Sequence, residues 1–411
     1  MRSVLFAFGS IPKDGGTFTF YRNMRKSLLA HGIDLRCVTV GKREAALWDD
    51  SFADDGCVLL AENESSIKKQ AQAFCQWCEQ SDVDIVMGVN SVAILSALPH
   101  LPHNIRFMSR CANAFDHGYK ITVSCYERLS RVIALAPRQI DDLVNNYGAD
   151  KEKIALIPNG TKVDRFEAAS NLTRGKSKSI RLGFLGRLEH TQKGVLYLPE
   201  ILHRLKESHI DFSLSIAGKG VHEASLRQQL ATHVSSGEVV FLGALGPEEI
   251  AGYLANIDVY VFPSHFEGSP NALIEAIMAG CVPAAWQLDG ITDFLINDGV
   301  TGLIEKTGEC HLLADRIASL AIDRDLLKTM SRQVSAEAKK RFNLDRVVND
   351  YLRVIDKVMD EPTIKYQVKP WDQFQIEPAF YEPYWRKFIP VWFKRALKKI
   401  FFKLGLVDRF E

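Results

Sequence analysis

Residues 257–280 read IDVYVFPSHFEGSPNALIEAIMAG. The run Ile257–Phe262 is apolar on every position but Asp258, which predicts a strand buried on both faces, the kind found in parallel sheets. A loop follows, and Ser269-Pro270 predicts the opening of a helix, with Ser as the cap and Pro at the first helical position. The first N–H groups of a helix have no partner within it and carry the positive end of its dipole, so a helix starting just beyond a strand is an anion site suited to phosphate. Gly268 lets a ligand approach the backbone. Glu267 precedes the helix and Glu275 lies in its second turn, on the same face as Asn271. A carboxylate beside a phosphate site is better matched to neutral hydroxyls, those of a sugar or a ribose. A plain capped helix would use the same residues.

Outward from this stretch, short apolar runs alternate with helical patterns. Val4–Phe8, Asp34–Val40, Ile85–Val89, Ile105–Ser109 and Val132–Ala136 read as strands, with helices such as Thr19–His31 and Ser65–Gln80 between them. The pattern restarts with Ile180–Leu185, Asp211–Ala217, Val239–Leu242, Val259–Phe262 and Val282–Ala285, separated by helices such as Gly194–Glu207 and Pro247–Asn256. Strand–helix alternation argues for parallel sheets covered by helices. The polar run Ser170–Ser179 suits a linker. We therefore expect an α/β chain of two doubly wound, Rossmann-like domains, residues 1–168 and 178–345, followed by C-terminal helices over 346–411 that cross back to the first domain. Ligands are expected beyond the carboxyl ends of the strands, in a cleft between the two sheets.

Composition agrees with a large globular chain: 411 residues, 46% hydrophobic and 25% charged, with 51 Lys/Arg against 50 Asp/Glu. That balance excludes a polycation for nucleic acid, and the hydrophobic content excludes disorder. Residues 385–411 stand apart with eight Lys/Arg and two acids, a net +6, leaving residues 1–384 with 43 bases and 48 acids. Eight cysteines in so long a chain do not make a disulfide framework. Cys75 and Cys78 are a lone Cys-x-x-Cys within a helical pattern, short of a zinc ligand set and read as packing. The first apolar run is too short for a signal-peptide core, and no stretch approaches the ~20 residues that cross a bilayer, so a cytoplasmic protein is expected.

Glu267, seven residues and Glu275, between such a strand and a helix ending Ala279-Gly280, resemble the signature of the retaining glycosyltransferases of family 4. Phe184-Leu185-Gly186-Arg187-Leu188 with Lys193-Gly194 resembles that family's Gly-Arg-Leu…Lys-Gly motif, Ser215–Gly220 its strand ending in a glycine turn, Ile157-Pro158-Asn159-Gly160 its Pro-Asn-Gly, and Gly15-Gly16 its N-terminal glycine loop. The resemblance covers roughly residues 1–355 and implies the GT-B fold, with the first domain on the acceptor side and the second on the nucleotide-sugar side. By it, Glu267 would bind hydroxyls of the donor sugar, Glu275 the nucleotide ribose, and Arg187 and Lys193 the departing diphosphate. Ser269, Pro270, Asn271, Ala272 and Leu273 would offer backbone donors to the phosphates, and Gly15, Gly16, Gly218 and Gly268 would approach the donor. The family's N-domain histidine has no direct counterpart in Arg110-Cys111-Ala112-Asn113; His117 stands a few residues on as a substitute or an ordinary loop histidine, with Arg110 and Asn113 as weaker sugar-side candidates. No metal is implied, because Arg187 and Lys193 supply the positive charge, and no cofactor beyond the nucleotide-diphosphate sugar as substrate. Asp82-Val83-Asp84 has a metal-binding spelling but precedes its strand, at the wrong edge of the sheet.

Residues 388–404, FIPVWFKRALKKIFFKL, place apolar side chains at 389, 392, 393, 396, 397, 400, 401 and 404, one face of a helix, with Lys394, Arg395, Lys398 and Lys399 opposite. Trp385, Phe388 and Trp392 add interfacial aromatics. The segment 385–404 suits an anionic membrane surface, or packing on the first domain. The expectation is thus a glycosyltransferase at the inner face of a membrane, with a glycan or lipid-linked glycan acceptor and a place in lipopolysaccharide, capsule or exopolysaccharide assembly. A dinucleotide-dependent oxidoreductase would need Gly-x-Gly-x-x-Gly after its first strand, where this chain has Ser10-Ile11-Pro12-Lys13-Asp14-Gly15-Gly16. A non-catalytic GT-B-like scaffold is opposed by the full set Arg187, Lys193, Glu267 and Glu275. A phosphorylase or epimerase on the same fold stays open.

Overall fold

Val259 and Val261 are buried in one hydrophobic cluster while Tyr260 and Phe262, between and after them, are buried in another. A strand that buries both of its alternating faces must lie inside a sheet covered on two sides. The structure, a computed structural model, describes residues 4–9, 16–170 and 178–380. It divides into two units, 1–158 with 347–411, and 159–346.

The first unit holds a parallel sheet of β1 (Val4–Gly9), β2 (Ile33–Val40), β3 (Cys57–Leu60), β4 (Ile85–Gly88), β5 (Arg106–Arg110), β6 (Leu129–Ala134) and β7 (Ile154–Leu156). Their order is β3-β2-β1-β4-β5-β6-β7. The second unit holds β8 (Ile180–Leu185), β9 (Phe212–Ala217), β10 (Val239–Gly243), β11 (Val259–Phe262), β12 (Val282–Trp286) and β13 (Leu303–Glu305), in the order β10-β9-β8-β11-β12-β13. Both orders reverse direction beside the first strand of their unit, the doubly wound pattern that places ligands beyond the carboxyl ends.

Each face of the second sheet has its own helices. Leu198, Ile201, Leu202 and Leu205 pack with Leu313, Ala314 and Ile317 on the face that takes Val259 and Val261. Leu273, Ile274 and Ile277 pack with Val334 and Ala338 on the other. In the first unit Phe74, Cys75 and Cys78 of helix Ile67–Gln80 are buried against Val86 and Phe107. The two thiols are therefore packing groups, and burial pushes that of Cys75 up to about 12.

Several expectations are corrected. The strands β3, β7 and β13 are not among those expected: each is only three or four residues long and half-buried at a sheet edge, too short to stand out as a separate run. The helix after β11 spans Asn271–Met278 with Pro270, not Ser269, at the cap position and no side-chain cap. The helix expected from Gly194 starts at Leu198, because Gly194 has φ +62° and ends a short helix, His190–Lys193. Helix Asp164–Ser170, expected in the first domain, belongs to the second unit, where Phe166 is buried among Tyr253, Leu254 and Leu273.

The chain from 347 belongs to the first unit. Tyr351 packs on Phe20 with ring centroids 5.4 Å apart, and Arg106 donates to the Met359 carbonyl at 2.9 Å. Further on, Trp371 stacks on His100 at 4.2 Å, the His100 ring pairs with the Lys369 carbonyl at 2.7 Å, and the Glu377 N–H donates to Ser96 Oγ at 2.9 Å. The basic segment 385–404, Gly15 and most of the expected linker lie outside the described residues. Among the described residues no helix is long and apolar enough to cross a membrane.

Candidate functional site

In the second unit the loops beyond β8, β9 and β11 are stitched by their backbones. Gly186 N–H donates to the Ala217 carbonyl, Leu188 N–H to Lys219, and His222 N–H to Leu188. Gly218 has φ +137°, and a Cβ there would come within 1.8 Å of the Gly186 carbonyl oxygen. Glu189 accepts from the N–H groups of Thr191 and Gln192 at 2.7 and 2.9 Å and caps helix His190–Lys193. Burial pushes its carboxyl up, and those hydrogen bonds more than offset this, so it titrates below the usual carboxylate range. Gly194, whose Cβ would lie 1.8 Å from the Pro263 carbonyl, lets the end of that helix press against the loop after β11. His265 N–H donates to the Gln192 carbonyl at 2.8 Å.

This stitching brings Lys193 Nζ to 2.5 Å from Glu267 Oε1, with Glu267 buried and Lys193 mostly covered. Arg187 is exposed and donates to Gln192 Oε1 at 2.6 Å. Helix Asn271–Met278 begins a few residues beyond Glu267; Asn271 Oδ1 accepts from Asn159 Nδ2 at 2.6 Å, which fixes the first helical side chain. The Leu273 N–H is taken by the Pro270 carbonyl, and proline has no N–H. Of the five expected backbone donors, Ser269, Asn271 and Ala272 are the three that remain. Glu275 is mostly buried with Arg165 NH1 3.6 Å away, and burial raises its carboxyl against the pull of Arg165. A carboxylate with one distant cation retains lone pairs for hydroxyl donors. Two cations, two carboxylates and a helix start therefore converge on the carboxyl edge of one sheet, an arrangement that can hold a diphosphate and adjacent hydroxyls.

In the first unit, Gly16 is the first residue of helix Gly16–Leu29, and His117 is the second of helix Asp116–Thr122, its ring edge-on to Phe380 at 5.3 Å. Asn113 is half-buried, and its carbonyl accepts from the Cys111 thiol. Arg110 is buried with its guanidinium 4.1 Å over the Phe20 ring, a packing position rather than a surface one. A cavity of about 810 Å³ opens beyond the carboxyl ends of β2 and β4, lined among others by Lys42, Arg43, Gln70, Asn90 and Phe380. Asp82 and Asp84 lie at the entry to β4, the opposite edge. Among the described residues no three His, Cys, Asp or Glu side chains cluster as metal ligands.

The family model described as Glycosyl transferases group 1 matches residues 179–323, the stretch that carries Arg187, Lys193, Glu267 and Glu275. Through those residues the chain is similar to the group 1 glycosyltransferases. Among curated relatives, a phosphatidyl-myo-inositol mannosyltransferase of Mycobacterium leprae is 31% identical over 203 residues, 49% of this chain and 53% of that protein. The chain thus spans about half the length of the curated relatives it matches. Among solved structures, a glycosyltransferase from Rickettsia africae aligns with TM-score 0.73 and 18% identity over 88% of this chain and all of that one. Anabaena HepE in complex with UDP aligns with TM-score 0.71 and 18% identity, over 87% and 100%. These likenesses show the fold, which is GT-B.

Within the second unit the structure gathers Arg187, Lys193 and Glu267 through contacts the sequence did not announce. Gln192, Arg165 and Asn159 were not given roles beforehand, although Asn159 sits in the quoted Pro-Asn-Gly. Gln192 is the chain neighbour of Lys193 and Asn159 is itself a motif residue, but their bonds to Arg187 and Asn271, like the approach of Arg165 to Glu275, form only on folding.

Proposed function

We propose that this chain is a retaining, metal-independent glycosyltransferase that moves a sugar from a nucleotide-diphosphate sugar to a glycan or lipid-linked glycan acceptor. The observation that carries this is the Lys193–Glu267 pair at 2.5 Å, set between Arg187 and the start of helix Asn271–Met278. Arg187, Lys193 and the N–H groups of Ser269, Asn271 and Ala272 hold the diphosphate and stabilise the charge that grows on it as the glycosidic bond breaks. Glu267, held where Lys193 meets the phosphate, accepts hydrogen bonds from donor-sugar hydroxyls. Glu275 accepts from the ribose. Retention is inferred from the resemblance of Glu267-x7-Glu275, and UDP as a donor base is supported by the Anabaena neighbour's complex with UDP. Gly15, Gly16 and His117 are proposed for the donor sugar, with Asn113 beside them.

The first unit is proposed to receive the acceptor, in the cavity beside Lys42 and Arg43. A lipid-linked acceptor is supported by the basic amphipathic segment 385–404 and by the name of the mycobacterial relative. The protein would then work as a peripheral protein at the inner face of a bacterial membrane, in lipopolysaccharide, capsule or exopolysaccharide assembly. A thermal-shift panel of nucleoside diphosphates and nucleotide sugars tests the donor assignment, since binding to the native state raises the melting temperature. One diphosphate and its sugars should raise it in the wild type and not in Arg187→Ala. A flat panel would contradict the assignment.

A further inference from the structure

Three histidines meet around the short helix that carries Lys193. The rings of His190 and His265 are 5.3 Å apart, and those of His190 and His222 are 6.3 Å apart. His222 Nδ1 accepts from the His190 N–H at 3.1 Å, and His190 Nδ1 accepts from the Leu196 N–H at 3.2 Å. His265 Nδ1 faces the Thr191 carbonyl at 3.0 Å, and its Nε2 faces the Tyr197 hydroxyl at 3.1 Å. Ring nitrogens of His190, His222 and His265 are thus bonded to the backbone on both sides of Lys193.

These bonds dictate proton positions. A nitrogen that accepts from a backbone N–H must be bare, so the bonds made by His190 and His222 require the form that carries its hydrogen on Nε2. His265 carries its hydrogen on Nδ1. An imidazolium at His190 or His222 would set N–H against N–H and release the backbone it now holds.

Resting on the reading that Lys193 binds a donor diphosphate, we propose that His190 and His222 are positioning residues that hold Lys193 in its binding geometry only while neutral, so that diphosphate affinity falls in acid. Burial and the neighbouring His265 and His222 lower the His190 pKa, and burial lowers that of His265. The other groups facing the cluster are Glu189, which favours the charged rings, and Tyr197, itself near Glu200 and Cys310. For a histidine whose native pKa is depressed, the stabilisation is whole above the ordinary value near 6.5 and is lost as pH falls through the native pKa.

The test has two arms on the full chain. Ring nitrogen NMR should find Nδ1 bare in His190 and His222 at pH 7.5, and the amides of His190 and Leu196 should shift together as the rings titrate. Nδ1 protonated at pH 7.5, or amides indifferent to the titration, would overturn the proposal. In the second arm, UDP and GDP affinities are measured at pH 7.5 and 5.5 for wild type and His222→Asn, whose Oδ1 keeps the acceptor and cannot be protonated there. The wild type should lose about tenfold more affinity than the variant, the scale of one buried hydrogen bond. Protonation of the ligand is common to both and cancels. An equal loss would also overturn the proposal. Binding of neither diphosphate to either protein would instead overturn the donor reading, and the first arm would still decide the wiring.

Discussion

Lys193 and Glu267 form a buried ion pair, and the proposed function uses the same two side chains. Burying Glu267 without a cation leaves a carboxylate short of solvent, so Lys193→Ala should cost about 1–3 kcal/mol of stability as well as roughly 10²–10³ in turnover. Lys193→Met combined with Glu267→Gln should recover much of the stability and none of the turnover, as denaturation curves and initial rates on the same preparations would check. Arg187→Ala differs: the side chain is exposed and bonded only to Gln192 among the contacts described, so turnover should fall while the melting temperature stays within a degree or two. Glu275 makes a second residue-scale case. Burial raises its carboxyl, so the folded state holds the proton more tightly than the unfolded one, and Glu275 contributes stability below the ordinary carboxylate range that is lost as pH rises through its native pKa. Glu275→Gln should therefore gain on the wild type in melting temperature between acid and neutral pH, while weakening nucleoside diphosphate binding. A gap that shrinks toward neutral pH would contradict the burial argument.

At the scale of elements, the glycines between strands and helices decide how tightly the site is drawn together. Gly194→Ala would drive a Cβ to 1.8 Å from the Pro263 carbonyl in a left-handed residue, so backbone must move and Lys193 with it. That variant should lose most nucleotide binding and several degrees of melting temperature. Gly252, exposed in helix Pro247–Ala255 with open space around its Cβ position, should go the other way: Gly252→Ala is expected to stabilise by about 0.5–1 kcal/mol. Legibility of the sequence follows the same division. β11 and β8 were readable because they bury both faces, whereas β7, with Leu156 exposed at a sheet edge, offered no periodicity to read. The start of helix Asn271–Met278 was misplaced by one residue because Ser269 looks like a cap and the backbone of Pro270 fills that place instead. The glutamates, Arg187 and Lys193 were recoverable as motif residues, but Lys193 pairs with Glu267 across 74 residues and Asn159 with Asn271 across 112, and no local pattern encodes such meetings.

For the whole molecule, the chain after helix Leu344–Asp360 is a strap laid along the first unit through Trp371, Glu377 and Phe380. Ending the chain after 360 should uncover His100 and lower the melting temperature. The segment beyond carries the membrane proposal. Each Lys or Arg near an anionic leaflet contributes ~1 kcal/mol, screened by salt, while inserted Trp392, Phe393 and Leu397 add a part that salt does not remove. The full chain should sediment with anionic vesicles at low salt and partly release at high salt, and changing Lys394, Arg395, Lys398 and Lys399 to Gln should abolish most binding. A wild type indifferent to such vesicles would remove the main support for a lipid-linked acceptor.

The most direct test of the central claim is turnover of nucleotide sugars followed by NMR, which reads both nucleoside diphosphate release and the anomeric configuration of the product. The account predicts that one nucleotide sugar is consumed, that the new linkage keeps the donor's configuration, and that the Lys193→Met, Glu267→Gln protein is folded and inactive. Inversion of configuration would contradict retention, and wild-type turnover in the double variant would contradict the site itself.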